Sequence, residues 1–356
     1  MRFPPGRALV GLALVAAVSA GGVLAWAALG DRPPPPGGRD IVYVIFDRYA
    51  GNVTLAGQYG FDDRPFLDSL RARGFYVADA SLCPYPKTAP SLAASLNMAY
   101  LDDLLDLRAQ DPGDWAPMFD LIEGPRAARF LQGRGYEYVH LGAWWDPTAE
   151  DPAADLNVDF GTDSYEDRRG IYRSTPEQLA DITEAARRPG PTFVFAHVTL
   201  PHPPYVFDRY GGYVPAEVEA SRSRTESYLE QLRYTNVLAG RMVDRLLAVP
   251  ENRRPIVVLQ ADEGPHPLAY EYDPLFDWTR ATDAELAEKF FILNAYYLPG
   301  IDEDELYPDI SPVNTFRLIF RDYFGADLPP LPDRAFIFRD ERHLYRYWDV
   351  TDRLRS

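Results

Sequence analysis

Two continuous apolar runs, each closed by acidic residues, set the pattern of this chain. Ile41–Phe46 ends at Asp47, and Ile256–Ala261 ends at Asp262-Glu263. Neither run alternates with polar residues, so both read as strands buried on two faces rather than as half-exposed sheet. Tyr136–Gly142 and Thr192–Val198 predict further strands, and a late apolar segment spans Phe290–Leu298. Between these runs the apolar spacing lengthens to that of helices. Pro65–Arg73 stops at Gly74, and Ser91–Leu101 begins near Pro90. Helices are also predicted over about Thr175–Arg188, over a long stretch from Val214 to Ala248, and over Asp283–Lys289. The last, Val313–Phe324, is ended by Gly325. Strands alternating with helices predict an α/β domain, with a mostly parallel central sheet and helices on both faces. Asp146–Arg169 is polar and Pro-containing and reads as a long surface loop or lid.

The ends of the chain follow different patterns. Ala8 to Leu29 holds no charged residue and follows Arg2 and Arg7. As a helix it reaches about 33 Å, enough for a bilayer core of about 30 Å. The preceding positive charge leaves residues 1–7 in the cytoplasm and exports the rest. Ala25-Trp26-Ala27 offers the competing reading, a cleaved signal peptide. Residues 30–39 then form a Pro/Gly linker, stiff and then flexible. Residues 40–327 form the expected globular domain, and 328–356 an aromatic- and Arg-rich subdomain appended to it.

Composition narrows the function classes. With 46% hydrophobic and 13% aromatic residues in 356, the chain buries a large core, which excludes global disorder. A formal net charge of −17 argues against a nucleic-acid partner. It says little about substrate, because a bound cation reverses the local field. Cys83 is the only cysteine, so neither an internal disulfide nor a Cys-rich metal site can form.

The candidate chemistry lies where the pattern changes. An acid closing a buried strand stands at the carboxyl end of the sheet, where α/β proteins bind ligands. Asp47, Asp262 and Glu263 brought to neighbouring strand ends repel one another unless a cation lies between them. Such oxygen ligands suit Mg, Mn or Ca, with Zn as an alternative. Gly264 allows a tight backbone turn after the pair. Thr88, heading a small-residue helix, reads either as an N-cap or as a nucleophile lowered in pKa by direct metal contact. Ser91 and Ser95, a turn further in, read as packing residues. Lys87 either holds an ester oxygen or lies on the surface. His202, between prolines, sits in a rigid loop suited to substrate contact. His266 reads as a proton donor or a support to the acids, His197 as structural, and Trp144-Trp145 as a pocket wall or core filling.

In order along the chain, Asp47, Thr88-Ala89-Pro90-Ser91, His202-Pro203-Pro204 and Asp262-Glu263-Gly264 resemble the alkaline phosphatase/sulfatase superfamily. The similarity is strongest to its lipoteichoic-acid-synthase-like and phosphoglycerol-transferase branch, over about Asp40 to Phe324. The resemblance implies one divalent metal held by Asp47, Thr88, Asp262 and Glu263, with Thr88 as covalent nucleophile. It makes His202 a substrate-oxyanion contact and Trp145 an aromatic substrate wall. Sulfatases proper carry a modified Cys or Ser at position 88 and Arg at position 92. Here these are Thr88 and Leu92, Tyr85 and Lys87 break the modification motif, and Arg48 stands where a second acid is usual. Glu263 replaces the His of most relatives, which favours Mn or Mg over Zn or Ca. The resulting expectation is a membrane-anchored, extracytoplasmic, metal-dependent phosphotransferase or phosphodiesterase. Its substrate would be an envelope lipid- or glycan-linked phosphate ester, with Thr88, His202 and His266 catalytic and Lys87, Trp145 and His202 binding substrate. The alternatives are a hydrolase of soluble phosphate or sulfate esters and a non-catalytic relative.

Overall fold

A computed structural model describes residues 38–160, 164–271, 273 and 275–355. The expected anchor at 8–29 and the linker up to residue 37 lie outside the described residues. Among the described residues, no helix is long and apolar enough to cross a membrane.

Seven strands form one sheet: β1 (Ile41–Phe46), β2 (Tyr76–Val77), β3 (Glu137–Leu141), β4 (Leu156–Val158), β5 (Thr192–Val198), β6 (Ile256–Gln260) and β7 (Asn294–Tyr297). Their spatial order is β2-β7-β6-β1-β5-β3-β4. β6, β1, β5, β3 and β4 run parallel, while β7 pairs antiparallel with β6. Every residue of β1, β5 and β6 is buried, as their predominantly apolar runs imply. Helices Thr88–Asn97 and Pro312–Phe324 pack together, with Phe316 edge-on to Tyr43 of β1. Helices Arg168–Ala185 and Arg224–Leu247 form a second packed pair. The sheet is therefore mostly parallel and α/β, as the alternating pattern implies.

Several elements differ from the expectation, each for a local reason. The helix expected from Ser91 begins at Thr88, with Lys87 extended as its N-cap, and ends where Met98 turns left-handed (φ 59°). The helix expected at Thr175 starts at Arg168, because the Asp167 side chain accepts from Gly170 N and caps it, and it carries Pro176 within. The stretch over Val214–Ala248 is two helices, Ala216–Ala220 and Arg224–Leu247; Ser223 caps the second by accepting from Glu226 N. The segment read as a surface loop contains β4, paired to β3, and a 3₁₀ turn over Asp146–Thr148.

Near the C-terminus, β8 (Phe336–Ile337) and β9 (Trp348–Asp349) form a small antiparallel pair. Phe336 N donates to Pro84 O at 2.9 Å, and its ring stacks on Tyr85. Leu344 N donates to Pro112 O at 2.8 Å. This segment thus braces the loop that leads into Thr88.

Candidate metal and nucleophile site

Strand register builds the centre of the site. Ile45 pairs with Gln260 in β6 and with His197 in β5. Two residues on, the chain emerges as Asp47 beside Asp262, and Asp47 N is tied to Val198 O at 3.0 Å. The ligand atoms of Asp47, His197 and Asp262 all lie within 4.8 Å of one another, and all three residues are buried. His197 Nε2 is 3.6 Å from Asp47 Oδ2.

The first turn of the Thr88–Asn97 helix faces this group. Thr88, half-buried, lies beside the Asp262 carboxylate and works against the rise that burial imposes on it. Ser91 Oγ donates to Tyr85 O at 2.8 Å and Ser95 Oγ to Ser91 O at 2.7 Å, so neither hydroxyl is available as a nucleophile. Lys87 Nζ contacts the Tyr270 hydroxyl at 2.5 Å and Glu341 Oε1 at 3.2 Å, at the rim of the site.

Glu263 lies outside the tight Asp-His-Asp group and faces a cationic one. Its Oε1 is 2.9 Å from the fully buried Lys289 Nζ and 3.3 Å from Arg48 Nε. Lys289 also donates to Gly264 O at 2.8 Å, and Gly264 N to Lys289 O at 2.8 Å. Arg48 adopts the left-handed region (φ 61°), uncommon for a side-chain-bearing residue, and Tyr228 Oη donates to its carbonyl at 2.9 Å. His266 contacts Arg48 Nη2 and Lys289 Nζ, each at 2.7 Å, so both ring nitrogens are engaged. Gly264 serves close approach rather than a positive φ. A Cβ there would lie 2.3 Å from Glu288 O and 2.8 Å from Lys289 O. Gly264→Ala is therefore expected to destabilise the fold by about 1–3 kcal/mol, read as a lower urea midpoint.

The open side is a pocket of about 300 Å³, lined by Asp47, Arg48, Thr88, His202, Glu263 and aromatic side chains. Trp144 and Trp145 are joined in its wall by Trp115 and Phe119. His202 packs 5.6 Å from the Trp144 ring, and its Nδ1 bonds the Pro203 carbonyl, which can only accept. The neutral imidazole therefore carries its lone pair on Nε2. A larger cavity of about 520 Å³ lies at the neighbouring strand ends and shares only Trp144 with this pocket.

Electrostatics match this geometry. Burial, reinforced by Asp47 and Glu263, pushes the Asp262 carboxyl well above the usual range. Burial alone would also raise Asp47, but His202, His197 and Arg48 outweigh it and hold its carboxyl below the usual range. Burial, with Arg48 nearby, takes His202 down to about 3; burial takes Lys289 down to about 8 against the pull of Glu263. Burial and then Arg48 and Lys289 hold His266 well below the ordinary imidazole value.

These residues fit a divalent cation. Asp47 Oδ1, Asp262 Oδ2, Glu263 Oε2 and His197 Nε2 are all buried without a hydrogen-bond partner. Leaving one such atom unsatisfied costs about 1–3 kcal/mol, so the three from Asp47, His197 and Asp262, residues grouped within 4.8 Å, call for a common partner. Carboxylates with one imidazole suit Mn or Zn as readily as Mg. His197, Arg48, Lys289, Trp115, Phe119 and Glu341 complete the site beyond the residues expected from sequence. His197 alone left a trace there, as a polar residue inside an apolar strand. The others reach the site through contacts distant in sequence.

The chain from residue 39 to 309 matches the family model described as Sulfatase. A search of the curated proteins returns no match. Among solved structures, the C-terminal periplasmic domain of EptC from Escherichia coli aligns with TM-score 0.57 at 14% identity, over 89% of this chain and 96% of that one. The same domain in complex with Zn aligns with TM-score 0.53 at 14% identity, over 85% and 87%. The lipoteichoic acid synthase LtaP from Listeria monocytogenes aligns with TM-score 0.55 at 12% identity, over 88% and 80%. At these identities the likeness is one of fold, and the fold is alkaline-phosphatase-like. Together with the family match over most of its length, this makes the chain a member of the sulfatase family.

Proposed function

We propose that this chain is an extracytoplasmic, metal-dependent phosphotransferase or phosphodiesterase that uses Thr88 as its nucleophile on a lipid- or glycan-linked phosphate ester. The observation that carries the proposal is the convergence of unpartnered Asp47, His197 and Asp262 atoms, with Thr88 beside Asp262 and both Asp47 and Thr88 lining an open pocket. The similarity to a periplasmic EptC domain and to a lipoteichoic acid synthase supports the envelope setting. So does the apolar N-terminal stretch of the sequence.

A divalent ion held by Asp47, Asp262, His197 and Thr88 would polarise a phosphoryl oxygen and lower the Thr88 hydroxyl pKa. Thr88 Oγ then forms a bond to phosphorus as the bond to the departing alcohol breaks. Its proton passes to solvent, and the departing oxygen collects one from solvent. Arg48 and Lys87 line the pocket with positive charge, which offsets charge developing on the phosphoryl oxygens. In the second step an acceptor hydroxyl or water attacks from the pocket side, and His202 Nε2 takes its proton. The Thr88–phosphorus bond breaks and Thr88 Oγ collects a proton from solvent. His266 acts here by holding Arg48 rather than as a proton donor, because both its nitrogens are engaged.

Thr88→Ala tests this reading through turnover of a chromogenic phosphodiester, and product analysis with and without an alcohol acceptor separates transfer from hydrolysis. A pH series adds a prediction. Metal binding needs Asp262 as a carboxylate, and its carboxyl is raised, so binding displaces a proton. Affinity should therefore climb as pH rises, by about tenfold per unit while one proton is displaced, and fall in acid. Chelator competition at several pH values reads this directly.

A further inference from the structure

We infer that Thr148 is the positioning residue for His197, fixing the imidazole so that its Nε2 lone pair points into the metal pocket. Thr148 is fully buried at the end of the Asp146–Thr148 turn, and its Oγ1 is 2.7 Å from His197 Nδ1. The same Oγ1 lies 3.4 Å from Trp145 O, which can only accept. A hydroxyl has one proton, so two arrangements exist. If Thr148 donates to His197 Nδ1, the imidazole proton sits on Nε2, facing the carboxylates, and no lone pair remains for a metal. If His197 Nδ1–H donates to Thr148, the hydroxyl donates to Trp145 O and all three groups are satisfied. Nε2, otherwise unpartnered, then presents its lone pair beside Asp47 and Asp262. Only the second arrangement serves the metal group.

The surrounding fold holds this contact in place. Gly142 lets the turn fold back, since a Cβ there would come 1.9 Å from Ala149 O. Ala143 N donates to Thr148 O at 3.2 Å, and His140 Nε2 donates to the same carbonyl at 2.9 Å. Gln178 Nε2 bridges Gly142 O at 2.6 Å and His197 O at 2.9 Å, tying the turn to the strand that carries the imidazole. The turn also carries Trp145, whose ring stands edge-on to His197 at 6.0 Å. Pocket wall and candidate ligand are thus set by one short segment.

The inference rests on reading Asp47, His197 and Asp262 as a metal group, and its test separates the two. Wild type, Thr148→Ser and Thr148→Val of the full chain are titrated with Mn and Zn in competition with a chelator. Thr148→Val should weaken binding by about 10–100-fold, and Thr148→Ser should stay within about threefold of wild type. Equal binding by wild type and Thr148→Val overturns the positioning role alone, as does an equal loss in Thr148→Ser and Thr148→Val. No binding by wild type overturns the metal reading beneath it. Where Thr148→Val does not fold, nitrogen-15 NMR of the metal-loaded wild type decides: the proton on His197 Nδ1 supports the inference, and a proton on Nε2 overturns it.

Discussion

Thr88→Ala should lower turnover of a phosphodiester by at least about a thousandfold while leaving the fold and metal content largely intact. The physical grounds are specific. Thr88 opens a ten-residue helix, so its hydroxyl stands among free backbone N–H groups that favour a phosphate. It lies beside Asp262, at the candidate metal group. Ser91 and Ser95 are bonded to backbone carbonyls and cannot substitute for it. Thr88→Ser keeps the hydroxyl and should retain measurable activity. Stopped-flow release of the chromogenic alcohol, with mass spectrometry for a phosphate adduct at residue 88, reads both steps. Undiminished turnover in Thr88→Ala would remove the nucleophile from the account.

Lys289→Met should cost about 3–5 kcal/mol of stability, because it strands a buried carboxylate. The Lys289 side chain is 0% exposed and Glu263 2%, with 2.9 Å between Nζ and Oε1. Arg48, at 3.3 Å, is the only other cation paired with Glu263 among the described residues. The remedy identifies the cause: adding Glu263→Gln to Lys289→Met should recover a large part of the loss, since the uncompensated charge is gone. Guanidinium unfolding of wild type, both single variants and the double variant gives the coupling. A loss below about 1 kcal/mol in Lys289→Met would mean that the ammonium is not a required partner of Glu263.

These two residues also show how legible the chain was. Thr88 was readable because its neighbours announce a helix start and its order among the other motifs is distinctive. The strands that carry Asp47 and Asp262 were readable because burial on both faces leaves an unbroken apolar run. Lys289 was not, since a Lys in the last turn of an amphipathic helix is ordinary in sequence. Only the fold brings it back to Gly264 and His266, 25 and 23 residues earlier. His197 stood in view as a polar residue in β5, but its role depends on the β1–β5 register, which the strand pattern alone leaves open. Thr148 lay in a stretch too polar to suggest a buried turn. It is buried because Gly142 lets the backbone double back on itself. Helix ends moved for similar reasons, through caps such as Asp167 and Ser223 that compete with apolar periodicity.

Glu263 stands between the candidate metal group and the cation network, with Oε1 committed to Lys289 and Arg48 and Oε2 unpartnered. A carboxylate has two oxygens and can serve both sides at once. A non-catalytic member would instead keep Glu263 wholly within the cation network and hold no ion. The deciding measurement is elemental analysis of the purified full chain after equilibration with Mn and Zn and removal of free ion, beside Asp262→Asn and His197→Ala. The account predicts one divalent ion per chain in wild type and a large loss in both variants. An absence of bound metal in wild type, or equal loading of all three proteins, would contradict it.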